Sequence, residues 1–388
     1  MSGYHAKLSP SGAHRWMACP GSPALEAQYP DDKAGAHAAE GTLAHMLASD
    51  YLEHEAGKHP FQRIGEQHDV NGYPFTVDKV MADYVDDYIR LVRDYARRGM
   101  LLVEQRVPIG HITGEDGATG TSDAIVVDTV NRTLFVIDLK YGMGVRVEAA
   151  DNEQLMLYAL GALEHCEQLG DFDEVCMVIH QPRLNHVAEH WLPINDLLAF
   201  KDKAAKAAED TRAPDARLEP GEKQCKFCKA KHDCPALKAL VDETVDEIAS
   251  GVSADDFADL GDNALSIAMG RVDLIEQWCR SVRAEVERRL TSGQDVPGYK
   301  LVEGRRGNRA WKSVEIAQEE LAKFLKRDEM IEEKLISPAT AEKLLKKDPE
   351  GLKLLDSITE RPEGKLSVAP VTDKRPAKAF GATAADFG

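Results

Sequence analysis

Thr133-Leu-Phe-Val-Ile-Asp-Leu-Lys140 is a continuous apolar, largely β-branched run with charge only toward its end, the pattern of a strand buried on both faces. Asp123-Ala-Ile-Val-Val-Asp128 has the same character, and the polar stretch from Thr129 to Thr133, with Asn131-Arg132, supplies a short turn between them. The two predict a β-hairpin. Leu101 to Val107 predicts a strand before it, and Glu174 to Gln181 and His186 to Leu192 predict two more after it. Helical periodicity flanks these strands, first from about Glu40 to Ala56 with Leu43, Leu47, Tyr51 and Leu52 as apolar contacts, then from Val80 to Arg98. It returns from about Ala149 to Leu169, where Leu155, Leu157, Leu160 and Leu163 form the apolar stripe, and from Ile194 to Asp210. Strands and helices in this order predict an α/β fold.

The elements group into a main domain over residues 1–240, a helical arm over 241–297, a basic segment with a small helical unit over 298–356, and a flexible tail over 357–388. Leu260, Leu265, Ile267, Val272, Ile275 and Val282 are the packing positions of the arm, and Ser337-Pro338 is an N-cap and N1 pair for the last helix. The tail is rich in Pro, Ala, Gly and Lys. There is no internal repeat. A chain of 388 residues can bury a sizeable core, and without a membrane-length apolar run or a targeting pattern the expectation is a soluble, cytoplasmic protein.

Chemistry enters at the hairpin. Asp138 and Lys140 are i and i+2 on one strand and share a face; a turn of two or four residues puts Asp123 on that face as well, and a turn of three reverses it. Two carboxylates and an ammonium then converge, the set that phosphodiester hydrolysis asks for. Asp123 and Asp138 supply hard oxygen ligands for Mg²⁺ or Mn²⁺, and Lys140 serves the attacking water or the transition-state charge and favours ionised carboxylates. An aspartate and a lysine two apart are also common on solvated strand edges, so the triplet needs support. Gln154 and Tyr158, i and i+4 on the following helix, project together and suit a phosphate or the attacking water, or else pack. Glu104 is a further metal-ligand candidate, equally well explained as the surface partner of Arg106.

The order G-x-x-D at Gly120 to Asp123, D-x-K at Asp138 to Lys140 and Q-x-x-x-Y at Gln154 to Tyr158 resembles the RecB-like branch of the PD-(D/E)XK nuclease superfamily, which includes AddB-type subunits and CRISPR-associated RecB-like exonucleases. Gly41-Thr-Leu-Ala-His45 is similar to that branch's early G-x-x-x-H, which implies His45 as a metal ligand. The resemblance covers about the first 240 residues and implies a restriction-endonuclease-like core, a mixed central sheet flanked by helices. It departs at Asp138, where the family usually has glutamate. The whole-chain layout is similar to phage and prophage RecB-like proteins, which implies a role in DNA recombination, replication or repair. The implied activity is a metal-dependent DNA exonuclease acting on ends or single strands rather than a site-specific endonuclease. No G-x-x-x-x-G-K-[ST] sequence occurs, so a helicase would be a separate partner, as would a single-stranded-DNA-binding or annealing protein.

Cys225-Lys-Phe-Cys228-Lys-Ala-Lys-His-Asp-Cys234 is a C-x2-C-x5-C cluster one ligand short of a four-sulfur site. On the residues alone zinc and iron–sulfur are even, and His232 competes with a distant cysteine for the fourth place. The resemblance implies a 4Fe-4S cluster on Cys19, Cys225, Cys228 and Cys234, a staple joining the two ends of the nuclease domain, with Zn²⁺ the alternative. Cys166, Cys176 and Cys279 have the context of ordinary buried thiols.

A net charge of −18 argues at first against a nucleic-acid partner. The charge is uneven. Asp242 to Asp262 carries eight acidic residues and no basic one, whereas Lys300 to Lys312 holds Lys300, Arg305, Arg306, Arg309 and Lys312 against Glu303. With Tyr299 and Trp311 beside it, that segment suits phosphate and base contacts or is a solvated basic hairpin. Two further classes stay open: a DNA-binding or assembly protein with an inactive nuclease fold, and a zinc-stabilised interaction protein.

Overall fold

In the computed structural model, residues 6–30, 35–54, 57–250, 262–304, 307, 309–330, 337–346, 348–360, 367–370, 374–376 and 378 are described. They form two compact units, Met1–Trp278 and Cys279–Gly388.

The first unit is an α/β fold around a five-stranded sheet. Helices α1 (Ala36–Glu53) and α2 (Lys79–Ala96) precede strands β1 (Met100–Pro108), β2 (Thr119–Asp128) and β3 (Thr133–Leu139). Helix α3 (Glu153–His165) leads to β4 (Glu174–Gln181) and β5 (His186–Pro193), and α4 (Ile194–Asp210) follows. The spatial order is β1-β2-β3-β4-β5. All pairs are antiparallel except β3 with β4, which run parallel because α3 carries the chain back between them.

Every residue of β3 is buried, as its unbroken apolar run predicts. Leu134 and Val136 meet α3 and α4 in one core, and Phe135, Ile137 and Leu139 meet α1 and α2 in the other. The β2–β3 turn spans four residues, with Asp128 paired to Thr133. Asp128 Oδ1 accepts from the backbone N–H groups of Val130 and Asn131 at 3.1 and 2.8 Å, and Arg132 takes a left-handed φ of 55°. This is one of the two turn lengths that bring Asp123 to the face of Asp138.

Helix α3 is shorter than its periodicity suggests. Asp151 is left-handed at φ 52° and the Asn152 side chain caps Leu155 N at 3.1 Å, so the helix begins at Glu153, and only a short 3-10 turn, Glu167–Leu169, follows its end. It is also more than a stripe: all residues from Leu155 to Ala162 are buried. Helix α1 begins four residues before the expected Glu40.

In the second unit Ala317, Leu321, Met330, Ala341, Leu345, Leu355 and Ile358 form a small core; Ser337 caps Thr340 N at 3.2 Å ahead of Pro338 as expected, but the helix it starts, Pro338–Leu344, is not the last, since Pro349–Ile358 follows with Asp348 as its cap. The basic segment is not a hairpin closed on itself. Tyr299–Val302 pairs with Ser367–Pro370, and Ala310–Trp311 with Thr359–Glu360. Arg309 lies 3.4 Å from Glu342 and 3.3 Å from Asp356, and Lys312 donates to the Ser357 carbonyl, while Arg305 and Arg306 lie outside the described residues. Most of the expected tail and part of the acidic stretch also lie outside them. No helix among the described residues is long and apolar enough to cross a membrane.

Candidate active site

The β2–β3 ladder ends at Ala124 and Ile137, and one position further on, Asp123 and Asp138 face each other. There a side chain takes over from the backbone: Asp123 Oδ2 accepts the Leu139 N–H at 2.7 Å. The other oxygen, Oδ1, lies 3.3 Å from Nδ1 of His45, which α1 delivers between the buried anchors Leu43 and Leu47. On the far side, the β1–β2 ladder runs in register through Val103–Ala124 and Gln105–Ser122 but skips Glu104. Glu104 is left-handed at φ 45°, a conformation that costs a side-chain-bearing residue about 1–3 kcal/mol.

That backbone turn has a consequence for the site. Glu104 makes no ion pair with Arg106; it joins His45 and Asp123 in a group whose candidate ligand atoms all lie within 4.8 Å of one another. Among the described residues it is the one such trio of His, Cys, Asp or Glu side chains. Burial, reinforced by Asp123 and by Glu53 and opposed by His45, pushes the Glu104 carboxyl up to about 7. Burial would lower His45, but the hydrogen bond and charge of Asp123, helped by Asp138 and Glu104, raise it above the ordinary imidazole range. His45 and Glu104 each hold a proton more tightly than they would in water.

Asp138 sits beside this trio rather than within it. It is 4 % exposed, and Lys140 Nζ lies 2.9 Å from its Oδ2 and 3.3 Å from its Oδ1, with hydrogen-bond geometry only to the latter. The expected ionising influence of Lys140 is present but outweighed: burial, with help from Asp123, raises the Asp138 carboxyl. Burial would likewise lower Lys140, yet Asp138 and Asp123 keep its ammonium form favoured. Gln154 Oε1 accepts from Lys140 Nζ at 3.1 Å, and Gln154 Nε2 donates to Tyr158 Oη at 3.1 Å and lies 3.5 Å from Asp138 Oδ1. The two α3 residues therefore tie Lys140 to the helix. The glycine of G-x-x-D is explained by close approach: a Cβ on Gly120 would lie 2.8 Å from both Pro10 Cγ and Tyr158 Cε1.

The four candidate cysteines share a second site. Cys19, Cys225, Cys228 and Cys234 line one small cavity with Ser22, Leu25 and Leu218. Backbone N–H groups of Glu219 and Gly221 point at the sulfurs of Cys19 and Cys225, at 3.2 and 3.4 Å. His232 does not line this cavity; its ring packs edge-on against Tyr29. The N-terminal segment is stitched to the cysteine loop by further bonds: Gly21 N to Arg217 O, Lys229 N to Glu26 Oε1, and Tyr29 Oη to Asp233 Oδ2. Burial pushes the Cys19 and Cys225 thiols up, and that of Cys228 to about 12.

Two residues near the acidic centre were not singled out from sequence. Tyr88 and His180 are buried, and neither Tyr88 Oη nor His180 Nδ1 has a hydrogen-bond partner. Tyr88 lies on the apolar face of α2 with Met81, Val85, Ile89 and Val92, where a tyrosine has the look of an ordinary core aromatic. Only an unpaired hydroxyl, invisible in sequence, marks it.

The crystal structure of SSO0001 aligns with a TM-score of 0.23 and 16% identity, over 50% of this chain and 96% of that one. A family profile described as "Protein of unknown function (DUF2800)" matches residues 5–376, and the chain belongs to that family.

Proposed function

We propose that this protein is a Mg²⁺- or Mn²⁺-dependent deoxyribonuclease of the RecB-like PD-(D/E)XK type, an exonuclease acting on DNA ends or single strands. The observation that carries the reading is the meeting of His45, Glu104 and Asp123 beside the Asp138–Lys140–Gln154 network. The residues fit a divalent cation. An imidazole and two carboxylates are a hard-leaning donor set, and Asp138 adds a buried oxygen, Oδ2, that no hydrogen bond satisfies. His45, Glu104, Asp123 and Asp138 would hold the ion, which when bound would supply Lewis-acid polarisation of the phosphate and a more acidic water.

The chain's own residues do the rest. Lys140, protonated and restrained by Asp138 and Gln154, orients the attacking water and offers positive charge to the phosphorane-like transition state. It cannot be the base while its ammonium form is favoured. Gln154 and Tyr158 keep the ammonium aimed, and the Leu139 N–H holds Asp123 in place.

The four sulfurs that line one cavity are a donor set that fits a 4Fe-4S cluster, with a four-thiolate zinc site the alternative. Its role would be a staple between the N-terminal segment and the loop after α4.

End-labelled linear DNA incubated with Mg²⁺ or Mn²⁺ tests reaction, substrate and polarity together. Digestion is expected, and Asp138→Ala and Lys140→Ala are each expected to abolish it with the circular dichroism spectrum unchanged. Undiminished digestion by both variants would sink the assignment; an inert wild-type protein that still binds DNA would replace it with a binding role.

A further inference from the structure

Lys7 and Arg15 of the N-terminal segment, Arg212 just after α4 and Lys229 of the cysteine loop line a cleft of about 850 Å³, together with Glu26, Glu115 and Phe227. Small-molecule sites have volumes of about 300–1,000 Å³, so a ligand of ordinary size has room. Four cations stand against two carboxylates in a chain whose net charge is −18, so the cleft runs against the charge of the protein. Both carboxylates are already taken. Glu26 accepts from Arg15 Nε at 2.8 Å and from the Lys229 N–H at 2.9 Å, and Glu115 accepts from the backbone N–H groups of Lys7 and Leu8 at 2.8 and 2.7 Å. Lys7 Nζ and the Arg212 guanidinium have no carboxylate partner among the described residues, and Arg212 donates instead to the Thr113 carbonyl at 3.1 Å. The aromatic member, Phe227, is 66 % exposed, with Lys226 Nζ 5.4 Å from its ring centroid.

We propose that this cleft binds a nucleoside phosphate, presented either as a free nucleotide or as the end of a DNA strand. The combination of groups selects the ligand. An inorganic anion or a carboxylate would answer Lys7 and Arg212 and leave the ring in water, and an apolar molecule would do the reverse. A nucleoside phosphate answers both, with its phosphate oxygens on the Lys7 ammonium and the forked guanidinium of Arg212 and its base on the Phe227 ring. The cleft shares no residue with the acidic centre, and the contacts it offers need neither metal nor hydrolysis. The inference therefore goes beyond the nuclease reading and stands or falls without it.

The test is isothermal titration calorimetry of the full chain in EDTA, where metal-dependent hydrolysis cannot interfere. The probes are thymidine 5′-monophosphate, single-stranded hexathymidylate and, as an anion without bases, hexaglutamate. Lys7→Ala keeps the backbone bond to Glu115 and removes only an exposed ammonium; Phe227→Ala removes the exposed ring; Lys203→Ala removes an exposed lysine of α4 outside the cleft. The first two variants are each expected to weaken thymidylate binding by about fivefold or more, with Lys203→Ala unchanged. Binding of the monophosphate assigns the cleft to free nucleotides, and binding of the hexamer alone assigns it to a strand end. Absence of binding by both thymidylates overturns the proposal, as does unchanged affinity in Lys7→Ala or in Phe227→Ala. Hexaglutamate binding as tightly as the hexamer, or an equal loss in Lys203→Ala, also overturns it, because charge alone would then explain the affinity.

Discussion

Gly120→Ala adds one methyl group outside the set of residues that touch a substrate. The new Cβ would stand 2.8 Å from Pro10 Cγ and 2.8 Å from Tyr158 Cε1, whereas ordinary contact begins near 3.4 Å. Either neighbour must retreat by about 0.6 Å, deep in the repulsive wall of the contact. Pro10 is buried in the short Pro10–Gly12 turn, and the Tyr158 ring is enclosed in the α3 core, so neither yields freely. Overpacking of this kind costs about 1–3 kcal/mol. Part of the displacement passes along Tyr158 Oη to Gln154 and from there to Lys140 Nζ, both at 3.1 Å, and a misplacement of that size is expected to lower turnover in the proposed nuclease reaction by about tenfold or more. A double-mutant cycle with Tyr158→Ala, read by urea unfolding of the full chain, isolates the steric term: removing the ring should recover about 1 kcal/mol of the alanine penalty. A coupling below about 0.3 kcal/mol would refute the reasoning, because the glycine would then be serving something other than the approach of Tyr158.

Compared with Glu104→Gln, the metal-free wild type should lose relative stability as pH rises from about 4.5 to about 7, because the Glu104 carboxyl binds its proton more tightly folded than unfolded, while the buried His180, pushed down to about 4, acts in the opposite direction in both proteins; a difference that instead grows in favour of the wild type as pH rises would reverse the sign. Cys19→Ala should release the N-terminal segment from the cysteine loop. In protein carrying the proposed cluster, a cross-link closing a loop of roughly two hundred residues has a chain-entropy limit of about 5 kcal/mol, so the variant should unfold at markedly lower urea and hold less iron, and unchanged iron and midpoint would remove Cys19 from the site.

The periodicity of the chain carries most of the fold because β3 is buried on both faces and α2 on one, two conditions that leave unmistakable residue patterns. Gly120, Asp123, Asp138 and Lys140 are legible for the same reason: a strand has period two, and the four-residue turn fixes which side each residue takes. Glu104 was only half legible. Its neighbour Arg106 suggests a surface pair, and nothing in the letters shows that its backbone turns left-handed and swings the carboxylate to His45. Asp138 and Lys140 were readable as partners, but the balance between burial and the ammonium charge was not, since burial depends on helices more than ten residues away. The basic segment misled because its strands pair with residues some fifty or more positions downstream, where Arg309 finds acidic partners.

The convergence of Cys19 with Cys225, Cys228 and Cys234 also sets a timetable for synthesis. A ribosome adding about 5–20 residues per second needs about 10–40 s between making the first of these cysteines and the second. Throughout that interval the segment around Trp16, which leans on α3 through the core it shares with Tyr158, has no partner for its thiol and no loop to lock onto. A chain broken off before residue 234 would carry every residue of the acidic centre but lack part of the four-cysteine cavity.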